Sequence, residues 1–347
     1  ILFLAKAALT GGDVAQAQVW SLPEEGISQV WMEWRAAKRH GFPMHVGRPR
    51  ITPAVRQLAL IAAPAALASG VVQINLLVGR QVASYFDRAI DWMYTADRLY
   101  QLPLGVVGIA VGIVLLPELS RRLAAEDTEG GRHALSRAAE VSLALTVPAA
   151  VALVVIAEPL VSVLFQRGRF TPEDSAGTAI ATAIYGAGLP AFVLDKVFQP
   201  LFYARSDTWS PFRYAVRGMI LNAGLAVGLA PVLGWPAAAI GTTVAGWAMI
   251  WFLWRGSRGF GDVVRFDDRF LHRLPRILAA SALMGVVLWI GALALEGPLH
   301  SGGVRYLALA ALVTAGGVAY FGFAHLLGAV PLGEIRGAFR RRSKGGS

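Results

Sequence analysis

The feature that most constrains this chain is a series of long apolar runs separated by short polar connections. Eight stand out: Leu58–Val78, Leu102–Leu116, Val141–Ile156, Ala176–Val193, Met219–Leu233, Ala237–Trp254, Ile277–Leu295 and Tyr306–Leu327. A helix needs about 20 mostly apolar residues to cross the hydrocarbon core of a bilayer. Most of these runs approach or reach that length. The second reaches it only when Trp92–Gln101 is joined to it. The joined stretch, WMYTADRLYQLPLGVVGIAVGIVLLPELS (Trp92–Ser120), carries Asp97 and Arg98 about one turn inside its entrance. Composition agrees with a membrane setting. Hydrophobic residues make up 55% and charged residues 16%, where a soluble domain carries about 25% charged. Mean hydropathy is +0.53. The fold class expected is all-α, a polytopic transmembrane helical bundle.

A net charge of +10 raises nucleic acid as a partner, but its distribution argues against that. The loops Arg35–Arg50, Leu119–Arg137, Tyr203–Arg217, Arg255–Arg276 and the tail Gly328–Ser347 hold 5, 4, 3, 6 and 5 Lys/Arg. The interleaved loops Arg80–Arg88, Pro159–Glu173, Pro231–Pro236 and Glu296–Gly303 hold 2, 2, 0 and 0. Basic residues in short loops favour the cytoplasmic side. The alternation therefore predicts a multi-pass protein of the bacterial inner membrane with its C-terminus in the cytoplasm. The tail reads either as an anchor on anionic membrane lipids or as a solvated end. There is no cysteine, so redox chemistry says nothing about the compartment. The chain opens on Ile1 inside an apolar run, as expected of a piece lacking its N-terminal part.

Val14–Trp34 (VAQAQVWSLPEEGISQVWMEW) does not fit the pattern well. The topology asks it to cross the membrane, yet it holds Pro23, Glu24, Glu25 and Glu33, and each central carboxylate costs a few kcal/mol on insertion scales. A broken helix lining a cavity, an interfacial segment and a local irregularity all remain open.

No loop exceeds about 20 residues, too few for an independent catalytic core. There is no GxxxxGK[ST], HExxH, GxSxG or Asp-rich metal box. The sequence calls for no cofactor, and whatever chemistry the chain performs belongs to its helices. Charges at membrane depth mark substrate or ion paths by default. Arg98 is the leading candidate, because a guanidinium grips phosphate or carboxylate with two parallel hydrogen bonds. Its neighbour Asp97 is a poor partner, since adjacent helix residues do not face each other. A structural ion pair with another helix and a substrate anion both stay open. Arg80 flanks the first full span, with Gln73 and Asn75 inside it. Asp195 and Lys196 lie late in the fourth, with structural and functional roles equally open. Gly105, Gly108 and Gly112 share one face and are expected to let helices approach closely.

Three stretches then carry a resemblance. WMYTADRLYQLPLGVVGIAVGIVLLPELSR (Trp92–Arg121) closely resembles the signature region of the MurJ/MviN lipid II flippases, within the multidrug/oligosaccharidyl-lipid/polysaccharide exporter superfamily. PLVSVLFQRGRFTPED (Pro159–Asp174) resembles that family's periplasmic connection, and KVFQPLFYARSDTWSP (Lys196–Pro211) its next cytoplasmic-end motif. Order and spacing match over at least Pro64–Trp254. The resemblance implies a two-lobed exporter-type fold of fourteen transmembrane helices around a cationic cavity. It implies that residues 1–50 are the remnant of the N-terminal lobe (the end of helix five, helix six and a basic loop). Residues 51–270 would then be the C-terminal lobe with helices seven to twelve, and 271–347 a two-helix extension with a basic tail.

The same resemblance implies the function. Such a protein flips lipid II, an undecaprenyl-diphosphate-linked glycopeptide lipid used in peptidoglycan and cell-wall synthesis, from the cytoplasmic to the periplasmic leaflet by alternating access. Arg98 matches the cavity arginine of the eighth helix, while the others lie in the first two helices, absent here. Asp97, Gln101, Arg80 and Lys196 complete the candidate substrate-binding set. Gln101 stands where members can carry a carboxylate. Gly79 stands where some carry the acidic residue of a sodium site, so no metal is expected, and Asn222 and Thr242 are only weak candidates. A monomer is expected, with no nucleic acid partner. The alternatives are a related exporter of other polyprenyl-linked glycans or drugs, and a membrane transferase acting on polyprenyl substrates. A drug exporter would more often present carboxylates to cationic substrates. A transferase would need a carboxylate or histidine cluster.

Overall fold

A computed structural model of the chain describes residues 14–39 and 52–329. The tail beyond residue 329 lies outside them. Among the described residues every regular element is helical. The chain divides into two units after Gln57. The first contains α1 (Val14–Arg39). This helix runs unbroken through Pro23, so the break allowed for there does not occur. Its end pairs aromatic and basic residues one turn apart, with the Arg35 guanidinium 5.1 Å from the Trp31 ring and the Lys38 amine 5.7 Å from that of Trp34.

The second unit contains α2 (Pro53–Ala83, which begins just before the division), α3 (Ala89–Ala124), α4 (Thr128–Val155), α5 (Ala157–Phe165), α6 (Pro172–Tyr203), α7 (Trp209–Leu233), α8 (Pro236–Ser257), α9 (Asp268–Ala294), α10 (Glu296–His300) and α11 (Arg305–Leu326). A 3-10 turn, Arg258–Val264, joins α8 to α9. Each of the eight apolar runs falls in one long helix to within a residue at its end. On their described residues, six helices are long and apolar enough to cross a membrane: α4, α6, α7, α8 (continued to Val264), α9 and α11. The helices outrun the apolar runs because their polar ends continue past the hydrocarbon; α4 begins 13 residues before Val141. The connection Glu296–Gly303, read from sequence as a plain loop, contains the short helix α10, and most of the short helix α5 falls in Pro159–Glu173, read likewise.

The central element is α6. Its start is fixed by a capping box, with the Thr171 hydroxyl accepting from the Asp174 N–H and the Asp174 carboxylate accepting from the Thr171 N–H. Such a box satisfies two of the orphan donors at a helix start. The helix packs against α3, α4 and α8, while α7 pairs with α8, and α9 with α4 and α11. Two small residues set the approach distances. A Cβ at Gly177 of α6 would stand 2.4 Å from the Trp92 ring of α3, and one at Gly241 of α8 would stand 3.0 Å from the Asn222 carbonyl oxygen of α7. The close-packing role expected of Gly105 is not met, because a Cβ there would touch nothing within 4 Å. Gly108 instead faces the Lys196 stem at 3.6 Å, and the surroundings of Gly112 lie outside the described residues. Leu283, Trp289, Ile290 and Leu293 of α9 and Leu307, Val313 and Val318 of α11 are exposed. Exposed apolar surface of that extent marks a face meant for lipid or a partner.

Within the second unit the basic connections meet at one end of the bundle. Arg132 donates to the carbonyls of Arg265 and Phe266, His133 meets the Asp267 carboxylate at 3.1 Å, and Arg205 stacks on Phe260 at 4.3 Å. There too the buried Glu140 accepts from Arg137 and Arg273 at 3.1 and 2.5 Å. The connections poor in Lys/Arg meet at the other end. Arg88 pairs with Asp174 at 2.9 Å and Arg305 donates to the Gln166 carbonyl at 3.2 Å.

Candidate functional site

Between these ends, α2, α3, α6, α7 and α8 enclose two adjoining hollows that share Asn75, Tyr100 and Thr242 in their walls. The first lies between α2 and α3, and Arg80, Tyr94, Asp97 and Tyr185 line it. The second, about 300 Å³, opens between α3, α6, α7 and α8, and Asp195, Lys196, Gln199 and Phe192 line it. A rise of 1.5 Å per residue puts Arg98 about 14 Å from the start of α3, well inside the helix. Lys196 lies about 10 Å from the end of α6 on the same reckoning.

Arg98 itself does not line either hollow. Its side chain is exposed, donates to the Tyr94 hydroxyl and lies over the Tyr94 ring at 4.8 Å. Tyr94 is four residues back, one turn of helix, so the pair forms a ledge on the rim of the first hollow. Asp97 turns the other way. It accepts from the Gln101 amide, again at the i,i+4 spacing that brings helix side chains together. Gln101 is exposed on that face. Asp97 and Arg98 therefore do not pair, and no carboxylate among the described residues meets the Arg98 guanidinium.

Asp195 and Lys196 do touch, at 3.3 Å. The stronger contacts of Asp195 are two hydrogen bonds of 2.8 Å from the Gln199 amide, whose oxygen in turn accepts from the Tyr203 hydroxyl at 3.1 Å. This ladder along α6 occupies the carboxylate, and the half-exposed Lys196 side chain lines the hollow. Arg80, Asp97 and Lys196 are thus gathered on the cavity walls, with Arg98 on the rim and Gln101 behind Asp97.

The weak metal candidates are separated from each other in role. Asn222, fully buried, donates to Asn75 at 2.7 Å and so ties α7 to α2. Thr242 donates to the Ala238 carbonyl of its own helix at 3.0 Å. Among the described residues no three of His, Cys, Asp or Glu gather in a way that would hold a metal ion.

What sequence reasoning missed is aromatic. Tyr100 packs against Tyr185 and Phe192, with ring centroids 5.3 and 5.5 Å apart, and Tyr94 carries Arg98. The signal was present in the i,i+4 spacing of Tyr94 and Arg98. Tyr185 and Phe192 are set by how α6 lies against α3, which no local spacing reveals.

Compared with known proteins, residues 25–301 match the family model described as lipid II flippase MurJ. The chain belongs to the MurJ family. It is similar to the probable lipid II flippase MurJ of Rhizobium meliloti (strain 1021), 40% identical over 358 residues, which cover 100% of this chain and 66% of that protein. It is also similar to the probable lipid II flippase MurJ of Rhizobium tropici, 39% identical over 93% of this chain and 61% of that one. The chain thus spans less than two thirds of these relatives' length. A solved structure, "Lipid II flippase MurJ, inward closed conformation", superposes with a TM-score of 0.63 at 22% identity, covering 81% of this chain and 57% of that chain. At that identity the likeness speaks for the fold, which is that of a MurJ-type exporter bundle. Family membership and the six apolar helices make this a multi-pass protein of the inner membrane.

Proposed function

We propose that this MurJ-family chain serves as the C-terminal portion of a flippase that carries undecaprenyl-diphosphate-linked glycopeptide lipid from the cytoplasmic to the periplasmic leaflet. The protein acts as a transporter, not an enzyme. The observation that carries the reading is the placing of Arg80 and Lys196 on the walls, and Arg98 on the rim, of two adjoining hollows within the helical bundle. Moving a diphosphate through bare hydrocarbon is prohibitive, so its path has to be polar and positively charged. Arg98 offers the diphosphate a planar fork of donors held by the Tyr94 ring. Arg80 lines the first hollow and Lys196 the second, so they are not asked to grip one phosphate together; they mark successive stations along the wall. The isoprenoid tail stays in lipid throughout.

Alternating access follows from the same electrostatics. An occupied cavity is close to neutral and an empty one cationic. A membrane potential acts on each uncompensated charge with about 2.3 kcal/mol per 100 mV, which favours return of the empty carrier. In this reading the basic end of the bundle faces the cytoplasm together with the C-terminus. The tail rests on anionic headgroups, and the protein works as a monomer. Residues 1–50 belong to the N-terminal lobe, 51–270 to the C-terminal lobe and 271–347 to a two-helix extension. The test is complementation. The full-length protein with Arg98→Ala is expected to insert normally and yet fail to rescue a flippase-depleted cell. Normal growth would remove the role given to Arg98.

A further inference from the structure

A third hollow, about 600 Å³, lies at the basic end of the bundle, away from the cavity described above. The end of α8, the 3-10 turn and the starts of α4 and α9 form its walls. We propose that this hollow, through Arg258 and Arg265 with Arg132 behind them, binds the phosphate headgroup of an anionic phospholipid.

The three arginines have different jobs. Arg132 is committed to the frame, since its Nε and Nη2 donate to the carbonyls of Arg265 and Phe266 at 3.1 Å each. Arg258 holds its guanidinium carbon over the Trp254 ring at 3.9 Å and meets no carboxylate among the described residues. Arg265 pairs with Asp262 at 3.1 Å, but both side chains are mostly exposed, at 78% and 65%. Exposed pairs of this kind hold weakly, so a phosphate can take over the guanidinium. Three positive groups and one negative group face the hollow, which favours an anion. Gly261 shapes the site. Its φ of 76° and ψ of −151° belong to a region open essentially to glycine alone, and this kink lies between Arg258 and Arg265 in the turn.

The walls select lipid over a free anion. Trp254, Val264, Phe266 and Leu271 line the hollow beside the arginines, and Trp254 and Leu271 are exposed. A soluble phosphate gains nothing from that surface, whereas the glycerol and upper acyl chain of a lipid cover it. The site stands at the end of a membrane-length helix, the level at which tryptophan gathers in membrane proteins and basic pockets between helices take lipid headgroups.

The test uses the full chain in detergent, with bound lipid counted by native mass spectrometry. Phosphatidylglycerol is titrated against phosphatidylcholine, with inorganic phosphate as the free-anion arm. The wild type is expected to prefer phosphatidylglycerol, and the double variant Arg258→Gln/Arg265→Gln to lose that preference by on the order of tenfold. Arg167→Gln/Arg169→Gln, the same charge loss at the opposite end, should leave it in place. Asp262→Asn, which removes the competing carboxylate, should tighten binding and keeps the question open to answer if the double variant does not fold. Unchanged binding in the double variant, an equal loss in the opposite-end control, no gain from Asp262→Asn, or displacement of lipid by inorganic phosphate would each overturn the proposal.

Discussion

Arg98 and Asp97 are sequence neighbours that take different partners, and the reason is helix geometry. Successive side chains point about 100° apart, so each residue finds its contact one turn away: Arg98 with Tyr94, Asp97 with Gln101. That much could be read from adjacency alone. The identity of the partners could not, because an aromatic four residues back is more often packing than a support for a cation. Asp267 shows a similar limit. It reads in sequence as one more loop acid, but the structure makes it the cap of α9. Burial pushes its carboxyl up, and the Phe270 N–H at 2.8 Å and His133 at 3.1 Å outweigh that and hold it below the usual range. A carboxyl with a lowered folded pKa stabilises the protein above the ordinary carboxylate value, about 3.9 for Asp, and that contribution is lost as pH falls through the folded value. Asp267→Ala should cost about 1 kcal/mol at neutral pH. Thermal unfolding in detergent should show this cost shrinking as the solution is acidified below about pH 4.

At the scale of elements, the apolar runs announced the eight long helices in order, because a run near 20 residues has few other ways to satisfy its backbone in a membrane. The short helices α5 and α10 were not legible, being too brief for a clear period. The contact of α3 with α6 was also invisible, since it depends on one glycine, Gly177, facing a ring on another helix. It is testable at Gly177. Adding a Cβ 2.4 Å from Trp92 forces a ring that is already held by a 2.9 Å bond from its indole N–H to Asp174. Gly177→Ala should therefore destabilise the bundle by about 1–3 kcal/mol, seen as a lowered unfolding midpoint. An unchanged midpoint would mean that α3 and α6 do not pack as described.

For the whole molecule, loop charge carried most of the architecture. Within the second unit the described basic connections meet one another at one end, and those poor in Lys/Arg meet at the other, as the alternation in sequence required. The candidate site was legible as a set of charges but not as a cavity, because Arg80, Asp97 and Lys196 come from three helices whose mutual arrangement no single segment encodes. Which end faces the cytoplasm is tested by labelling. The chain has no cysteine, so single replacements report without background. Ser301→Cys, exposed at one end, should react with an impermeant thiol reagent added outside the cell. Gly259→Cys, where a Cβ meets nothing within 4 Å, should react only after permeabilisation. Reversed labelling would invert the proposed orientation.

The central claim is that the charges around the two adjoining hollows handle the lipid diphosphate, and proteoliposomes test it most directly. Fluorescent lipid II is placed in one leaflet, the full-length protein is reconstituted, and arrival in the other leaflet is followed with an impermeant quencher. The wild type should move the lipid. Arg98→Ala should slow it by at least about tenfold, the loss of roughly one charge-assisted contact, with correct insertion and folding. Transport at the wild-type rate in Arg98→Ala, Arg80→Ala and Lys196→Ala alike would contradict the account.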